Sequence, residues 1–592
     1  MERTSVHPGE GGARKLSRLP GGAPRIRTSP TERTAPNMAP SNISRMWGAA
    51  CDRFAMRPSY YKRGLESAPA SINPSRNLLH WCPMSSPAPH PYIEKILRAR
   101  IYDLARETPL EQARTLSRRL GHSIWIKRED LQVIHSFKIR GAYNKISQLS
   151  QSALARGVIA ASAGNHAQGV ALAARHCGTQ ATIVMPRTTP EIKVRAVEDL
   201  GAVIELHGDD FASAQKHAKE RCEQEGLHWI PPYDDAEIIA GQGTVAMELL
   251  RQHPEQIDAI FVPVGGGGLI AGIAAYTKYL SPSTRIIGVE PEDAACLAAA
   301  CKAGQPVTLE RVGMFADGCA VARVGDEPFA IAREKVDEVI TVTTDEICAA
   351  IKDVFIENRS MAEAAGALSV AGLKNWVRSQ GEKDLNLIAI ETGANLTFGR
   401  LRHVTERAEY GESREALLAV TIPEKKGSFL DFCQALGPVR VTEFNYRYAG
   451  SEQAHIFVGI GLEGADGERE SLLKRLRKEN LPVTDLTDDE MAKLHIRYMV
   501  GGHAPESLEH ERLFRFEFPE RPGALLDFLT SIGARWNISL FHYRNHDAAF
   551  GRVLVGMQIR DEDLASFHEL ANELGYPVVA EEDNPAYDRF LR

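Results

Sequence analysis

No stretch of the 592-residue chain approaches the ~18 consecutive apolar residues that a membrane-spanning helix needs, which excludes an integral helical membrane protein. The nine cysteines contain no CxxC pair and are dispersed between Cys51 and Cys433. Neither a zinc ribbon nor a disulfide framework is suggested, and a reducing compartment is expected. The four consecutive glycines at 265–268 are not part of a GxGxxG and are not followed by Lys-Ser/Thr, so the dinucleotide fingerprint and the nucleotide P-loop both fail there. A surplus of cations is missing too. The net charge is −7, and residues 1–92 carry 13 Lys and Arg against 5 Asp and Glu, a balance of +8 that leaves −15 for the remainder. Such a body does not hold nucleic acid through its net field.

What is present is an ordinary globular composition, 43% hydrophobic and 25% charged, on a chain too long for one core. A single core rarely organises more than about 250 to 300 residues, so three to four domains are expected. Residues 1–88 are rich in Arg, Pro, Ser and Gly and show no sustained apolar period, which predicts a leader without a fold of its own. It reads either as an organelle transit peptide or as an over-extended start ahead of Met84.

From residue 121 to 395, short β-branched runs (IWIK, GVIAAS, ATIVMP, AVIEL, AIFVPV, RIIGVE, LIAIE) alternate with Ala-rich helical stretches. That alternation predicts largely parallel sheet covered by helices, with ligands at the carboxyl ends of the strands. Three strand-to-helix loops stand out. In FVPVGGGGLIAG a strand runs into Gly265, Gly266, Gly267 and Gly268 and then a helix, a cup whose backbone N–H groups and helix dipole suit a phosphate. In VIAASAGNHAQGV the loop Ser162, Ala163, Gly164, Asn165 and His166 offers N–H groups, a hydroxyl and an amide to a carboxylate, or else is an ordinary N-cap. In HSFKIRGAY, Lys138 sits at a helix start. A lysine beside a phosphate cup and a carboxylate loop has the parts to hold a phosphorylated aldehyde cofactor as a Schiff base.

HSFKIRGAY (135–143), SAGNHAQGVA (162–171), IAGQGTVAMELL (239–250), PVGGGGLIAG (263–272), MFADGCAV (314–321) and ETGANLTFGRLR (391–402) resemble the biosynthetic threonine dehydratases, or threonine deaminases. These are pyridoxal-phosphate enzymes of the tryptophan-synthase-β-like fold. The resemblance implies a two-lobed fold-type II catalytic domain of mainly parallel sheets over 89–404. It makes Lys138 the Schiff-base lysine and the base for the substrate Cα proton, and places Phe137 beside the cofactor ring. Asn165 would bond the 3-oxygen, Gly265 to Gly268 the phosphate, and the 162–166 loop the substrate carboxylate. Thr392 occupies the usual position of a Ser facing the pyridine nitrogen. Glu363 occupies that of a cofactor-proximal Glu, but begins Glu-Ala-Ala-Gly where the family has Glu-Pro-x-Gly. A neutral hydroxyl cannot keep the pyridine protonated as a carboxylate would, which weakens the electron sink and favours loss of a β-leaving group. The implied reaction converts L-threonine, and often L-serine, to a 2-oxo acid and ammonia. From threonine the product is 2-oxobutanoate, in the first committed step of isoleucine biosynthesis. Cys296 falls where metal-binding relatives carry an Asp ligand, so no metal is expected.

After a Glu-rich stretch read as a linker (405–415), the chain repeats itself. Pro423 and Pro519, Gly427 and Gly523, and Asp431 and Asp527 are each 96 residues apart, and Phe444 and Phe541 are 97 apart. Two copies of a ferredoxin-like βαββαβ module are expected at 416–490 and 511–587. They resemble the ACT-like regulatory domains of the same family, which bind isoleucine as inhibitor and in some members valine as counter-signal. That analogy makes Tyr446 and Tyr543 effector candidates, although aromatic strand residues also simply fill cores. Family members are commonly homotetramers, cytoplasmic in bacteria; a transit peptide would imply mitochondrion or plastid. Serine racemases and catabolic dehydratases share the catalytic motifs but lack the duplicated module. A catalytically silent amino-acid sensor is the reading from another class.

Overall fold

The computed structural model describes residues 91–592 apart from 451, 466, 500–502, 520–523, 533–534, 545–549, 585–586, 588–590 and 592. The leader expected at 1–88 and Gly523 of the second repeat lie outside the described residues. Each apolar run singled out above forms a strand. In the larger of the two catalytic sheets the order is Leu110–Gln112, Ser123–Arg128, Asn386–Glu391, Ala259–Pro263, Arg285–Pro291, Glu338–Val342, parallel throughout except for the first. The smaller parallel sheet runs Val203–Leu206, Ala181–Met185, Val158–Ala161, His228–Trp229. From residue 91 on, the chain therefore begins in the large lobe, builds the small one and returns.

Alternation along the central strands feeds two cores, which is why these strands read as continuous apolar runs. Ile260, Val262, Ile388 and Ile390 pack against helix Gly268–Leu280 on one face. Ala259, Phe261, Leu387 and Ala389 pack against helix Ala364–Ser379 on the other. Beneath the lobes lies an ion network with no solvent exposure. Arg140 bonds Glu129 at 2.7 Å and Glu248 at 2.5 Å, and Lys127 bonds Glu248 at 2.6 Å. Arg140 is the third residue of helix Lys138–Ser147, so this network fixes the helix that begins with Lys138.

Both C-terminal copies have the expected βαββαβ order, but they are not separate bodies. Strand Arg440–Arg447 of the first pairs antiparallel with Asn537–Arg544 of the second, joining them into one eight-stranded sheet. The expected linker is also corrected. Residues 405–411 continue helix Leu401–Gly411, whose Val404, Arg407, Ala408 and Tyr410 are buried. The acidic residues that suggested a linker are ion-pair partners of that helix: Glu409 bonds Lys352, and Glu406 bonds Arg544 of the second copy at 3.0 Å. No helix among the described residues is long and apolar enough to cross a membrane.

Candidate active site

The three loops meet in one cleft of about 440 Å³ at the carboxyl ends of strands from both lobes. Lys138 is the first residue of its helix, and Asn165 opens helix Asn165–His176. The four glycines link strand Ala259–Pro263 to helix Gly268–Leu280. Thr392 follows strand Asn386–Glu391, and Glu363 immediately precedes helix Ala364–Ser379.

The Lys138 Nζ donates to the Pro232 carbonyl at 3.0 Å and lies 5.3 Å from the Phe137 ring centroid. Burial pushes its amine down to about 8, against a weaker opposing pull from Cys319 and Glu363. A substantial neutral fraction near physiological pH suits both a nucleophile and a base. Glu363, 5% exposed, is pushed up to about 7 by burial and by nearby Asp317. Its carboxyl accepts from Asn165 Nδ2 at 2.6 Å. That uses one of the two amide N–H bonds and leaves the second for the cleft. Thr392 Oγ1 donates to the Ala365 carbonyl at 3.1 Å and carries no charge.

The glycine loop is shaped by its neighbours as well as by what it could hold. A Cβ at Gly266 would sit 2.0 Å from Cδ1 of Tyr233, and Gly267 has φ +90° at the turn into the helix. The first ladder bond of that helix runs from Ala271 to Gly267 O, so the preceding N–H groups have no acceptor within the helix. An amine, a row of N–H donors and an amide donor fit the aldehyde, phosphate and 3-oxygen of pyridoxal phosphate.

The carboxylate loop is less uniform than its sequence suggests. Ser162 Oγ accepts from Gly164 N at 3.3 Å, while Ala163 and Gly164 stay half-exposed at the helix start. No side chain of the loop caps the helix. The His166 imidazole turns away from the cleft: its Nε2 donates to Ile230 O at 3.0 Å, and burial with Lys138 nearby pushes it down to about 3. Of the five loop residues, Asn165 lines the cleft, whereas Ser162, Ala163, Gly164 and His166 are not among its lining residues. Tyr233, Cys319 and Asn395 were not singled out from sequence. The first two line the cleft, and Asn395 Nδ2 donates to Asn165 Oδ1 at 2.7 Å. At the position of the relatives' metal ligand, Cys296 donates to Gly265 O at 3.3 Å and burial raises its thiol. Neighbouring Glu290 accepts from Leu297 and Ala298 N–H groups at 2.7 and 2.8 Å. Among the described residues no group of three or more His, Cys, Asp and Glu could hold a metal ion.

A second cleft, of about 420 Å³, lies between the C-terminal copies. Tyr446, Glu424 and Phe429 come from the first copy, and Leu529, Trp536 and Ile538 from the second. Tyr446 donates to Glu424, whose carboxyl is raised by burial and whose Oε2 has no hydrogen-bond partner. Tyr543 is buried opposite Phe444, but residues 520–523, the counterparts of 424–427, lie outside the described residues.

Family comparison agrees with both halves. Residues 101–393 match the pyridoxal-phosphate-dependent enzyme family. Residues 406–496 and 502–591 match the C-terminal regulatory domain of threonine dehydratase. A biosynthetic L-threonine dehydratase of Burkholderia multivorans is 53% identical over 508 residues, 85% of this chain and 100% of that one. The chain belongs to the biosynthetic threonine dehydratase family. Another member, from Escherichia coli, is 52% identical over 84% of this chain and 97% of its own. The chloroplastic member of Arabidopsis thaliana is 50% identical over 83% of each. Among solved structures, processed threonine deaminase isoform 2 of Solanum lycopersicum superimposes with a TM-score of 0.53 at 50% identity. It covers 54% of this chain and 92% of its own. As a member of this family the chain is a pyridoxal-phosphate-dependent lyase with a regulatory C-terminal region, not a sensor with a decayed body.

Proposed function

We propose that the chain dehydrates L-threonine to 2-oxobutanoate and ammonia, with L-serine as a secondary substrate. The observation that carries this reading is the convergence of the Lys138 amine, the 265–268 glycines and the Asn165 amide in one cleft. Pyridoxal phosphate, when bound, supplies the electron-withdrawing ring that acidifies the substrate Cα proton. Lys138 holds the cofactor's aldehyde carbon and then takes the Cα proton, a role its depressed basicity suits. The N–H groups of Gly265, Gly266, Gly267 and Gly268 hold the phosphate, and Phe137 flanks the ring. The spare Asn165 N–H bonds the 3-oxygen while Glu363 fixes that amide. Thr392 gives the pyridine nitrogen an uncharged neighbour, and the backbone of the 162–166 loop holds the substrate carboxylate.

Control is assigned to the cleft between the C-terminal copies. Its apolar wall suits the side chain of isoleucine, or of valine as counter-signal. The unpartnered Glu424 oxygen suits an ammonium group. Tyr446 contacts that effector directly, and Tyr543 does so at the equivalent place in the second copy. The working enzyme is a homotetramer of catalytic domain 89–404 and regulatory modules 416–490 and 511–587. Residues 1–88 serve as a leader, and the compartment is the cytoplasm, or an organelle where that leader is a transit peptide. One assay tests substrate, reaction and control together: 2-oxobutanoate formation from threonine, with and without isoleucine and valine. Absence of product sinks the activity, and indifference to both amino acids sinks the control.

A further inference from the structure

Asn395 lies 230 residues from Asn165 in sequence, and its side chain touches two of the three loops that form the cleft. Its Nδ2 donates to the Ile134 carbonyl at 2.9 Å, in the segment leading to Lys138, and to Asn165 Oδ1 at 2.7 Å. A carbonyl can only accept, so the bond to Ile134 fixes which end of the Asn395 amide is nitrogen. The atom it meets on Asn165 must then be an acceptor. Asn165 is thereby held with its oxygen away from Glu363 and its Nδ2 toward Glu363 and the cleft. The Asn395 backbone N–H also holds the Glu363 carboxyl down, opposing the rise from burial.

The surrounding backbone explains how one residue reaches so much. Ser136 bridges Gly393, Ala394 N donates to His135 O at 3.0 Å, and Phe137 N donates to Thr392 O at 3.3 Å. His135 takes φ 54°, a left-handed conformation that a non-glycine residue adopts only when its surroundings impose it. The 392–395 turn and the lysine loop are thus laced together, and Asn395 extends that lacing to the Asn165 loop of the small lobe.

We propose that Asn395 is a positioning residue. By accepting no bond from Asn165 and donating one to it, Asn395 keeps the Asn165 amide presenting a donor to the cofactor's 3-oxygen. This rests on the pyridoxal-phosphate reading above. An Asn395→Asp side chain keeps the shape but cannot donate, so Asn165 turns over to give its Nδ2 to the new carboxylate. Asn165 then presents an oxygen to the 3-oxygen, which loses a charge-assisted hydrogen bond.

The test uses purified full-length holoenzyme. For wild type, Asn395→Asp and Asn395→Ser, cofactor stoichiometry and Tm are measured, and then the ratio of the long- to the short-wavelength absorbance bands of the lysine-bound cofactor. A donor to the 3-oxygen stabilises its ionised form, which favours the long-wavelength band. In fully loaded Asn395→Asp that ratio is expected to fall by about tenfold or more, the change that loss of one hydrogen bond to a charged group produces. The kcat for threonine falls with it while KM moves less. Asn395→Ser, whose hydroxyl can still donate, is expected to fall part of the way, and it decides the matter alone should the Asp variant fail to fold. A lower Tm with an unmoved band ratio in loaded protein overturns the proposal, because a merely structural residue would behave so. A wild-type protein without a lysine-bound cofactor band instead overturns the pyridoxal-phosphate reading itself.

Discussion

Phe444 stands opposite Tyr543 in the ladder that joins the two C-terminal copies. Under the repeat Phe444 corresponds to Phe541, and Tyr446 to Tyr543. The neighbouring pair, Tyr446 opposite Phe541, is therefore the same contact seen from the other copy. The duplication has built inside one chain the kind of self-complementary interface that usually joins two subunits. Both tyrosines flagged from sequence lie on this seam, and Tyr446 reaches the cleft that spans it.

Phe541, 1% exposed, packs against Phe429 and Phe444 with ring centroids 5.1 and 5.4 Å away. Phe541→Ala is expected to destabilise the C-terminal body by about 3–5 kcal/mol. Calorimetry should show a C-terminal transition moving down and away from that of the catalytic lobes. Inhibition by isoleucine should weaken before catalysis does, because the cleft needs both copies.

Lys138 should set the pH dependence of cofactor reloading. Its amine titrates near 8 rather than 10.5, and only the neutral amine attacks an aldehyde. The rate of pyridoxal-phosphate recapture by apoenzyme, followed by absorbance, should therefore rise with pH through a midpoint near 8. A midpoint near the ordinary lysine value would contradict the burial argument. Lys138→Ala should show neither the lysine-bound band nor activity.

Gly266→Ala forces a methyl group into the Tyr233 ring. Holoenzyme should lose cofactor during dialysis much faster than wild type. In a Tyr233→Ala background the added methyl should cost less, by about 1 kcal/mol or more of coupling in cofactor affinity, since the two residues share one space.

Arg140→Met leaves Glu129 and Glu248 buried without their main cation. Breaking such a network from one side costs about 3–5 kcal/mol, readable from urea denaturation. Cofactor occupancy should fall as well, because the same helix starts at Lys138.

The expectations that held rest on local grammar. An apolar run, a small-residue loop and a helix start lie within about twenty residues of one another, so the places of Lys138, Asn165 and the glycines in the cleft were legible. Strands Leu110–Gln112, His228–Trp229 and Glu338–Val342 were not, because each lies at a sheet edge and is at most half-buried over most of its length. These three lack the apolar run that betrays a central strand, whereas Val203–Leu206, also at an edge, kept its Val-Ile pair and was read. Tyr233 and Asn395 gave no signal of their role because their partners are distant in sequence, and no spacing rule reaches across 230 residues. The acidic stretch misread as a linker shows the converse failure. Its charges are satisfied by Lys352 and Arg544, partners that only the folded chain brings near.

Two copies joined through equivalent strands have spent the same edge twice. What remains at the ends of the eight-stranded sheet is Val483–Asp485 on one side and Val578–Ala580 on the other, three residues each. Edges so short offer little for a further strand to grip, and natural sheets use that device to stop growing. Pairing in this manner closes at two: a third module would find no vacant partner, and neighbouring molecules are denied a template for end-to-end polymerisation.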